Sequence, residues 1–255
     1  YVFIIGISIG SFLNVVIYRI PNGLSLVRPR SKCTNCKNKI EWYDNIPILS
    51  YLILKAKCRR CSIKISFRYP LIELLSGIIA ILLLSIYGLT INFIFVTVIT
   101  YLLIAVSFID AEHYIIPNEL IIFGLFTLFI GQLAQALNIS ILDSFYGAFS
   151  FSGVLFFTGL IGTYAFKKEA MGFGDVKLAF IIGGIIGFEL SILALFLSFI
   201  FAALMSIILL LSKEVKNEHQ IPFGPSIAAA TILIFLTKTA SGGNQIINWY
   251  FTNMF

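Results

Sequence analysis

The stretch YLLIAVSFIDAEHYIIPN, residues 101–118, decides the fold. An apolar run from Tyr101 to Ile109 ends on a carboxylate, Asp110, and Pro117 breaks the chain soon afterwards. Pro117 has no backbone N–H to give and biases Ile116 away from helix, so one helix ends near Asp110 and the next starts near Asn118. The pattern returns at Gly172-Phe173-Gly174-Asp175, where a carboxylate precedes the apolar run that opens at Val176. Gly172 and Gly174 permit a tight backbone and leave room for an extended strand to approach. A carboxylate inside a membrane-spanning segment costs about 2.5–3.5 kcal/mol even on a lenient insertion scale, so its default explanation is a function.

Outward from these two points the chain is apolar. Hydrophobic residues make up 59% of the 255 and charged residues 12%, where a soluble domain carries about 25% charged residues. Long apolar stretches with short polar punctuation predict an all-α integral membrane protein rather than a β-barrel. About eight transmembrane helices are expected, over residues 1–18, 71–88, 91–109, 117–137, 144–166, 174–188, 190–211 and 223–238. The first lacks the charged flank and small-residue cleavage site of a signal peptide and reads as a membrane helix.

Charge sets the orientation. Of 18 Lys and Arg, 12 lie between Arg19 and Arg68, against two acids there, Glu41 and Asp44. Lys167, Lys168, Lys177, Lys213 and Lys216 fall in loops that alternation puts on the same side, and Lys238 alone falls opposite. This bias predicts that the 19–70 segment and both aspartates face the cytoplasm. The net charge of +6 is then a topology signal and an attraction to anionic membrane lipid, with no nucleic-acid partner.

All four cysteines lie in that loop, as Cys33-Thr34-Asn35-Cys36 and Cys58-Arg59-Arg60-Cys61. Each C-x-x-C lets two thiolates reach one tetrahedral ion from a single turn, and two such knuckles complete a zinc-ribbon-like set. Four thiolates leave no open position, so a zinc ion here is structural. Lys32, Lys37, Lys57, Arg59 and Arg60 favour the thiolate forms. The competing readings are two disulfides, which a cytoplasmic position disfavours, or four free thiols. A small loop without a large core gains most from a metal staple.

If Asp110 and Asp175 face each other, they share a proton. The ionised member then polarises a water while the protonated one donates to a scissile carbonyl oxygen. The alternatives are a helix-end charge at Asp110 with an N-cap at Asp175, or an ion pathway through a transporter. Asp143 and Glu189 read as solvated turn residues, and His113 and His219 as loop histidines rather than metal ligands. The break Ile221-Pro222-Phe223-Gly224-Pro225 lies where irregular backbone lines a cavity, which makes Pro222 and Gly224 candidate walls of the site.

Several segments together resemble the bacterial type IV prepilin peptidases, bifunctional leader peptidase/N-methyltransferases. They are Gly10-Ser-Phe-Leu-Asn-Val-Val-Ile-Tyr-Arg-Ile-Pro21, the two Cys pairs, Asp44-Asn-Ile-Pro-Ile-Leu-Ser-Tyr51 and Arg68-Tyr-Pro-Leu-Ile-Glu73. The Asp110 segment, Gly172-Phe-Gly-Asp-Val-Lys-Leu178 and Ile221-Pro-Phe-Gly-Pro225 extend the match over nearly the whole chain. The G-x-G-D string alone is also similar to presenilin-type proteases; the ordered set is more specific.

The resemblance implies an aspartic endopeptidase of the bacterial cytoplasmic (inner) membrane with Asp110 and Asp175 catalytic, supported by Gly172, Gly174, Lys177, Pro222 and Gly224. It cuts the basic leader of type IV prepilins or pseudopilins after glycine on the cytoplasmic side. It then methylates the new N-terminus from S-adenosylmethionine; the alternative is a monofunctional leader peptidase whose four-cysteine loop only recognises leaders. It further implies a division into residues 1–70, the first helix and cysteine module serving methyl transfer, and 71–255, the seven-helix peptidase. In the family a Gly-Lys pair before the third cysteine is linked to methyl transfer; here it is Ala56-Lys57. Asn14, Arg19, Lys57 and Glu73 are the candidate residues for that reaction. No Rossmann-type G-x-G-x-x-G marks the methyl donor's site.

Overall fold

Apolar segments of this length satisfy their own backbone groups as helices once they leave water, and that is what they form. The computed structural model describes residues 1–28, 30–168, 171–211, 222–238 and 243–254. Among them the ordered elements are helices, with only isolated β-bridges besides. The long helices are α1 (Val2–Arg19), α3 (Arg68–Tyr87), α4 (Ile91–His113), α5 (Asn118–Leu133), α6 (Ile141–Phe166), α7 (Phe173–Ile186), α8 (Phe188–Leu211) and α9 (Gly224–Leu236). A short α2 (Leu49–Ile53) lies in the cysteine loop, and α10 (Gln245–Met254), which the apolar pattern does not predict, ends the chain.

Five of these, α1, α3, α4, α6 and α8, are long and apolar enough to cross a membrane. With 16, 14 and 13 residues, α5, α7 and α9 reach only about 20–24 Å at 1.5 Å per residue, less than the ~30 Å hydrocarbon core. All three begin beside the residues singled out above, at Asn118, Phe173 and Gly224. Large side chains stay exposed on the apolar helices, Phe126 at 61% and Phe196 at 63%, as on helices apolar all round.

The chain forms two compact units, Tyr1–Ser85 and Ile86–Phe255. In the first, α1 and α3 cross at Gly6 and Gly10. A Cβ on Gly10 would stand 2.7 Å from Glu73 Cα, and one on Gly6 2.8 Å from Gly77 Cα. In the second, α6 packs on α7 and α8, and α4 on α5 and α9. Gly147 and Gly183 let α6 and α7 meet backbone to backbone, where a Cβ on either would overlap the other's carbonyl. Ser144 Oγ seals the crossing by donating to Gly184 O at 2.6 Å. Leu103, Ile109, Leu178, Ile182 and Ile227 are fully buried in this unit.

Two local expectations change. The helix bearing Asp110 does not stop there but continues to His113. It ends where Tyr114 turns left-handed (φ 57°) and returns its N–H to Asp110 O at 2.9 Å. Asp143 is not simply solvated: its Oδ1 accepts the Phe188 N–H at 3.0 Å, satisfying one of the free donors at the start of α8.

Candidate active site and metal centre

Asp110 sits one turn before the end of α4 and Asp175 in the first turn of α7. Both are buried, 5% and 8% exposed, and close enough for the charge of Asp110 to act on Asp175. Asp110 Oδ2 accepts the Gly224 N–H at 2.9 Å. Gly224 is the first residue of α9, so the carboxylate meets a free helix-N-terminal donor and the positive end of the helix dipole. The approach requires glycine, because a Cβ at 224 would stand 2.8 Å from Asp110 Oδ2. Pro222 is half-buried just ahead of it.

Asp175 is held differently. Its backbone N–H donates to Gly172 O at 3.1 Å, while its side-chain Oδ1 is buried without a partner. Gly172 leaves the other oxygen room, since a Cβ there would lie 3.3 Å from Asp175 Oδ2. Gly174 packs on Ile116 in the break after α4, with 3.0 Å between its would-be Cβ and that of Ile116. Lys177 donates to Asn118 Oδ1 at 3.0 Å and lies over the Phe173 ring. It thereby ties the start of α7 to the start of α5. A groove of about 640 Å³ runs along α5 and α7 from Asn118 and Lys177 past Ile121, Leu125 and Phe180.

The cysteines converge as their spacing suggests. Cys33, Cys36, Cys58 and Cys61 are unpaired thiols whose sulfurs all lie within 4.8 Å of one another. Cys33 and Cys61 Sγ are 3.8 Å apart, matching the edge of about 3.8 Å that a tetrahedron with 2.3 Å arms requires. The knuckles repeat each other. Cys33 N–H donates to Asn38 O and Cys58 N–H to Ile63 O, both at 2.9 Å. Lys37 and Ser62, each following the second cysteine, share a φ of 58°. The Ile63 backbone hydrogen bond, assisted by Asn35 and opposed by burial, brings the Cys61 thiol down to about 6. The set suits a thiophilic metal ion. His113 is exposed and belongs to no metal-ligating cluster among the described residues; His219 and Ile221 lie outside those residues.

Three of the four methyl-transfer candidates meet. Asn14, Arg19 and Glu73 line a cavity of about 730 Å³ within the first unit, floored by α1 and α3 and roofed by the cysteine loop. Lys57 is exposed outside that lining, bridged to Lys64. Arg19 donates to Ser25 O at 2.8 Å and Leu26 O at 3.2 Å, holding the exit of α1. Asp44 is gripped by Arg59 through both carboxylate oxygens, at 2.6–3.0 Å.

Pro47–Leu49 forms a feature that sequence reading misses. Leu49 N–H reaches Pro47 O at 2.6 Å around Ile48, whose φ of 62° and ψ of −51° make a γ-turn, rare for any residue and strained for a β-branched one. Its N–H is fixed by Glu73 Oε2 at 2.7 Å. The Asn-Ile-Pro-Ile stretch advertises a turn, but not its partner in α3.

Two buried carboxyls brought together from α4 and α7, in a chain of apolar helices that also carries a four-thiol module, define a membrane-embedded di-aspartate protein. The chain belongs to the type IV leader peptidase family: that family matches residues 97–207, and the bacterial peptidase A24 N-terminal domain matches residues 4–87. It is a multi-pass membrane protein. A prepilin leader peptidase/N-methyltransferase of Myxococcus xanthus is 36% identical over 233 residues, covering 88% of this chain and 68% of that protein. One of Bacillus subtilis is 34% identical over 249 residues, covering 97% and 96%, and one of Aeromonas hydrophila is 34% identical over 282 residues, covering 99% and 93%. No solved structure matches.

Proposed function

We propose that this chain is a prepilin leader peptidase that also N-methylates its product. The observation that supports the reading is two buried carboxyls, Asp110 and Asp175, within electrostatic reach of each other, with Asp110 held by the Gly224 N–H. Asp110, steadied by that donor, carries the negative charge and takes a proton from the attacking water. Asp175 holds the shared proton and gives it to the scissile carbonyl oxygen. Collapse of the tetrahedral adduct passes a proton to the leaving nitrogen, so one water is consumed and no covalent enzyme intermediate forms. Gly172 and Gly174 leave space for the substrate backbone, and Lys177 positions the α7 start through Asn118. The groove along α5 and α7 takes the substrate's apolar segment.

The basic bias of residues 19–68 supports a cytoplasmic position for the cysteine loop and both aspartates, in the bacterial inner membrane, with cleavage of prepilins or pseudopilins on that side. Membrane lipid is the remaining partner. The first unit, Tyr1–Ser85, which includes Glu73 on α3, serves methyl transfer, and Ile86–Phe255 serves proteolysis. Zinc fits the four-thiol set by its 3.8 Å edge and would lock the two knuckles together. The cavity fits S-adenosylmethionine by size and by its orphaned acceptor, Asn14 Oδ1. That donor supplies an electrophilic methyl group; Asn14, Glu73 and Arg19 shape and orient the space in which the amine meets it.

The test is mass spectrometry of a prepilin incubated with the detergent-purified protein, with and without S-adenosylmethionine, beside Asp110→Asn and Asp175→Asn. Leader loss that needs both aspartates is expected, with a methyl mass added only when the donor is present. Leader loss that survives either substitution would overturn the di-aspartate mechanism.

A further inference from the structure

Asn14 is 2% exposed, and its orientation is fixed by its neighbours. Its amide nitrogen donates to Gly10 O at 3.3 Å and to Tyr69 O at 3.1 Å. Both acceptors are carbonyls, so both amide hydrogens are used and the oxygen must point the other way. That oxygen, Oδ1, is buried with no partner on a residue that lines the cavity of the first unit. A buried acceptor left unmet in a cavity wall asks for a donor.

Glu73 stands at the same crossing, one helical turn on from Tyr69 in α3. It is 7% exposed and also lines the cavity. The Ile48 N–H and the Ser11 hydroxyl hold it in place, and an ionised carboxylate has about four acceptor sites. Ile48 keeps its γ-turn against its own steric preference, and such strain persists where a functional site is being held in shape. The rest of the cavity's charge is mostly basic, including Arg28, Arg30, Lys32 and Lys39. Of its acids, Asp44 is taken by Arg59 and Glu41 is exposed on the loop. Glu73 is thus the buried acid that this basic lining offers to a cation, and Asn14, which donates to Tyr69 one turn earlier in α3, adds a second acceptor on the same wall.

We infer that Asn14 Oδ1 and Glu73 form a binding site for a primary ammonium group, the amine end of a methyl-transfer reactant. The inference deepens the methyl-transfer reading and rests on it. An –NH₃⁺ group brings three donors and no acceptor, which complements one orphan oxygen and one partly filled carboxylate. Two reactants carry such a group: the freed N-terminus of the cleaved chain, and the amino-acid end of S-adenosylmethionine.

The test is equilibrium binding to the full-length protein in detergent, using two matched pairs of probes. One pair is a peptide beginning at the residue after the cleaved bond, with its N-terminus free or acetylated. The other is S-adenosylmethionine and its deaminated analogue. In the wild type the amine-bearing member of at least one pair should bind about tenfold tighter or more, the size of a charge-assisted contact. Glu73→Gln keeps an acceptor for Ile48 and should erase the preference, whereas Glu73→Asp should keep most of it. A preference lost in the peptide pair assigns the site to the methyl acceptor, and one lost in the donor pair assigns it to the donor. No amine preference in the wild type, or one that Glu73→Gln leaves intact in both pairs, overturns the site. Leader cleavage by each variant reports folding, and the wild-type comparison stands even if a variant misfolds. Amine preference without methyl transfer in the same samples would remove the methyl-transfer reading and leave the amine site.

Discussion

Cys33 and Cys58 each close a knuckle within five residues of chain, whereas Asp110 finds its backbone donor 114 residues away at Gly224. The knuckles are half-exposed, repeat the same hydrogen bonds, and bring together four thiols that could hold a metal ion. The aspartates are buried, Asp110 against the start of α9 at Gly224 and Asp175 in the first turn of α7, which Lys177 ties to the start of α5 at Asn118. One region gets its geometry from local turns, the other from packing of remote helices. Their vulnerabilities should differ accordingly: ligand loss for the first, loss of close approach for the second.

The largest effect should come from removing the metal. Isolated zinc modules gain about 10–16 kcal/mol of apparent binding free energy that doubles as folding energy. Chelation, or Cys33→Ser, is therefore expected to unfold the loop, read as proteolytic cutting between residues 30 and 65 together with loss of bound metal. Persistence of an intact, protease-resistant loop after metal loss would break the contrast. Next in size, Asp110→Asn or Asp175→Asn should lower leader cleavage by about 10³- to 10⁴-fold, the range for an acid–base group. Methylation of a pre-cleaved peptide should be unchanged, and a parallel fall in both activities would show that the two sites are not separable.

Gly224→Ala sharpens the packing side of the comparison. Its Cβ would meet Asp110 Oδ2 at 2.8 Å, so the start of α9 must shift, at about 1–3 kcal/mol. Cleavage should fall by roughly 10- to 100-fold as the donor moves away, measured as initial rates on a prepilin. Wild-type rates would deny Gly224 any part in the site. The smallest effect is on the local side. Ala56 has a φ of 58°, a left-handed conformation that costs an L-residue about 1–2 kcal/mol. Ala56→Gly should stabilise the loop by about 1 kcal/mol against denaturant with no change in its hydrogen bonds, and a loss of stability would mean that the Ala56 methyl group packs usefully.

Ala56 also explains a departure noted in the sequence. The family's glycine at this position suits a left-handed turn, and alanine keeps that turn at an energetic cost rather than abolishing it. Ala56 N–H still reaches Tyr51 O at 2.9 Å, and Ile65 N–H reaches Ala56 O at 2.7 Å. The resemblance was visible in residue types; the reason for the residue type lay in a dihedral angle.

Helix content, the apolar class, the break at Pro117 and the four-cysteine set were legible from residue order, because each depends on neighbours a few positions apart. The run from Tyr101 to Ile109 can be little but helix, and a doubled C-x-x-C carries its own turn geometry. Tertiary structure alone decided that Gly224 donates to Asp110 and that Asp143 caps the start of α8. It also decided that Glu73 fixes a strained turn at Ile48 and that Asn14, on the wall of a cavity which Lys57 does not line, keeps a buried oxygen unmet. These depend on which helix faces meet, and side-chain periodicity on helices apolar nearly all round says little about facing. The polar atoms that break the apolar rule could be found in the sequence; their partners could not.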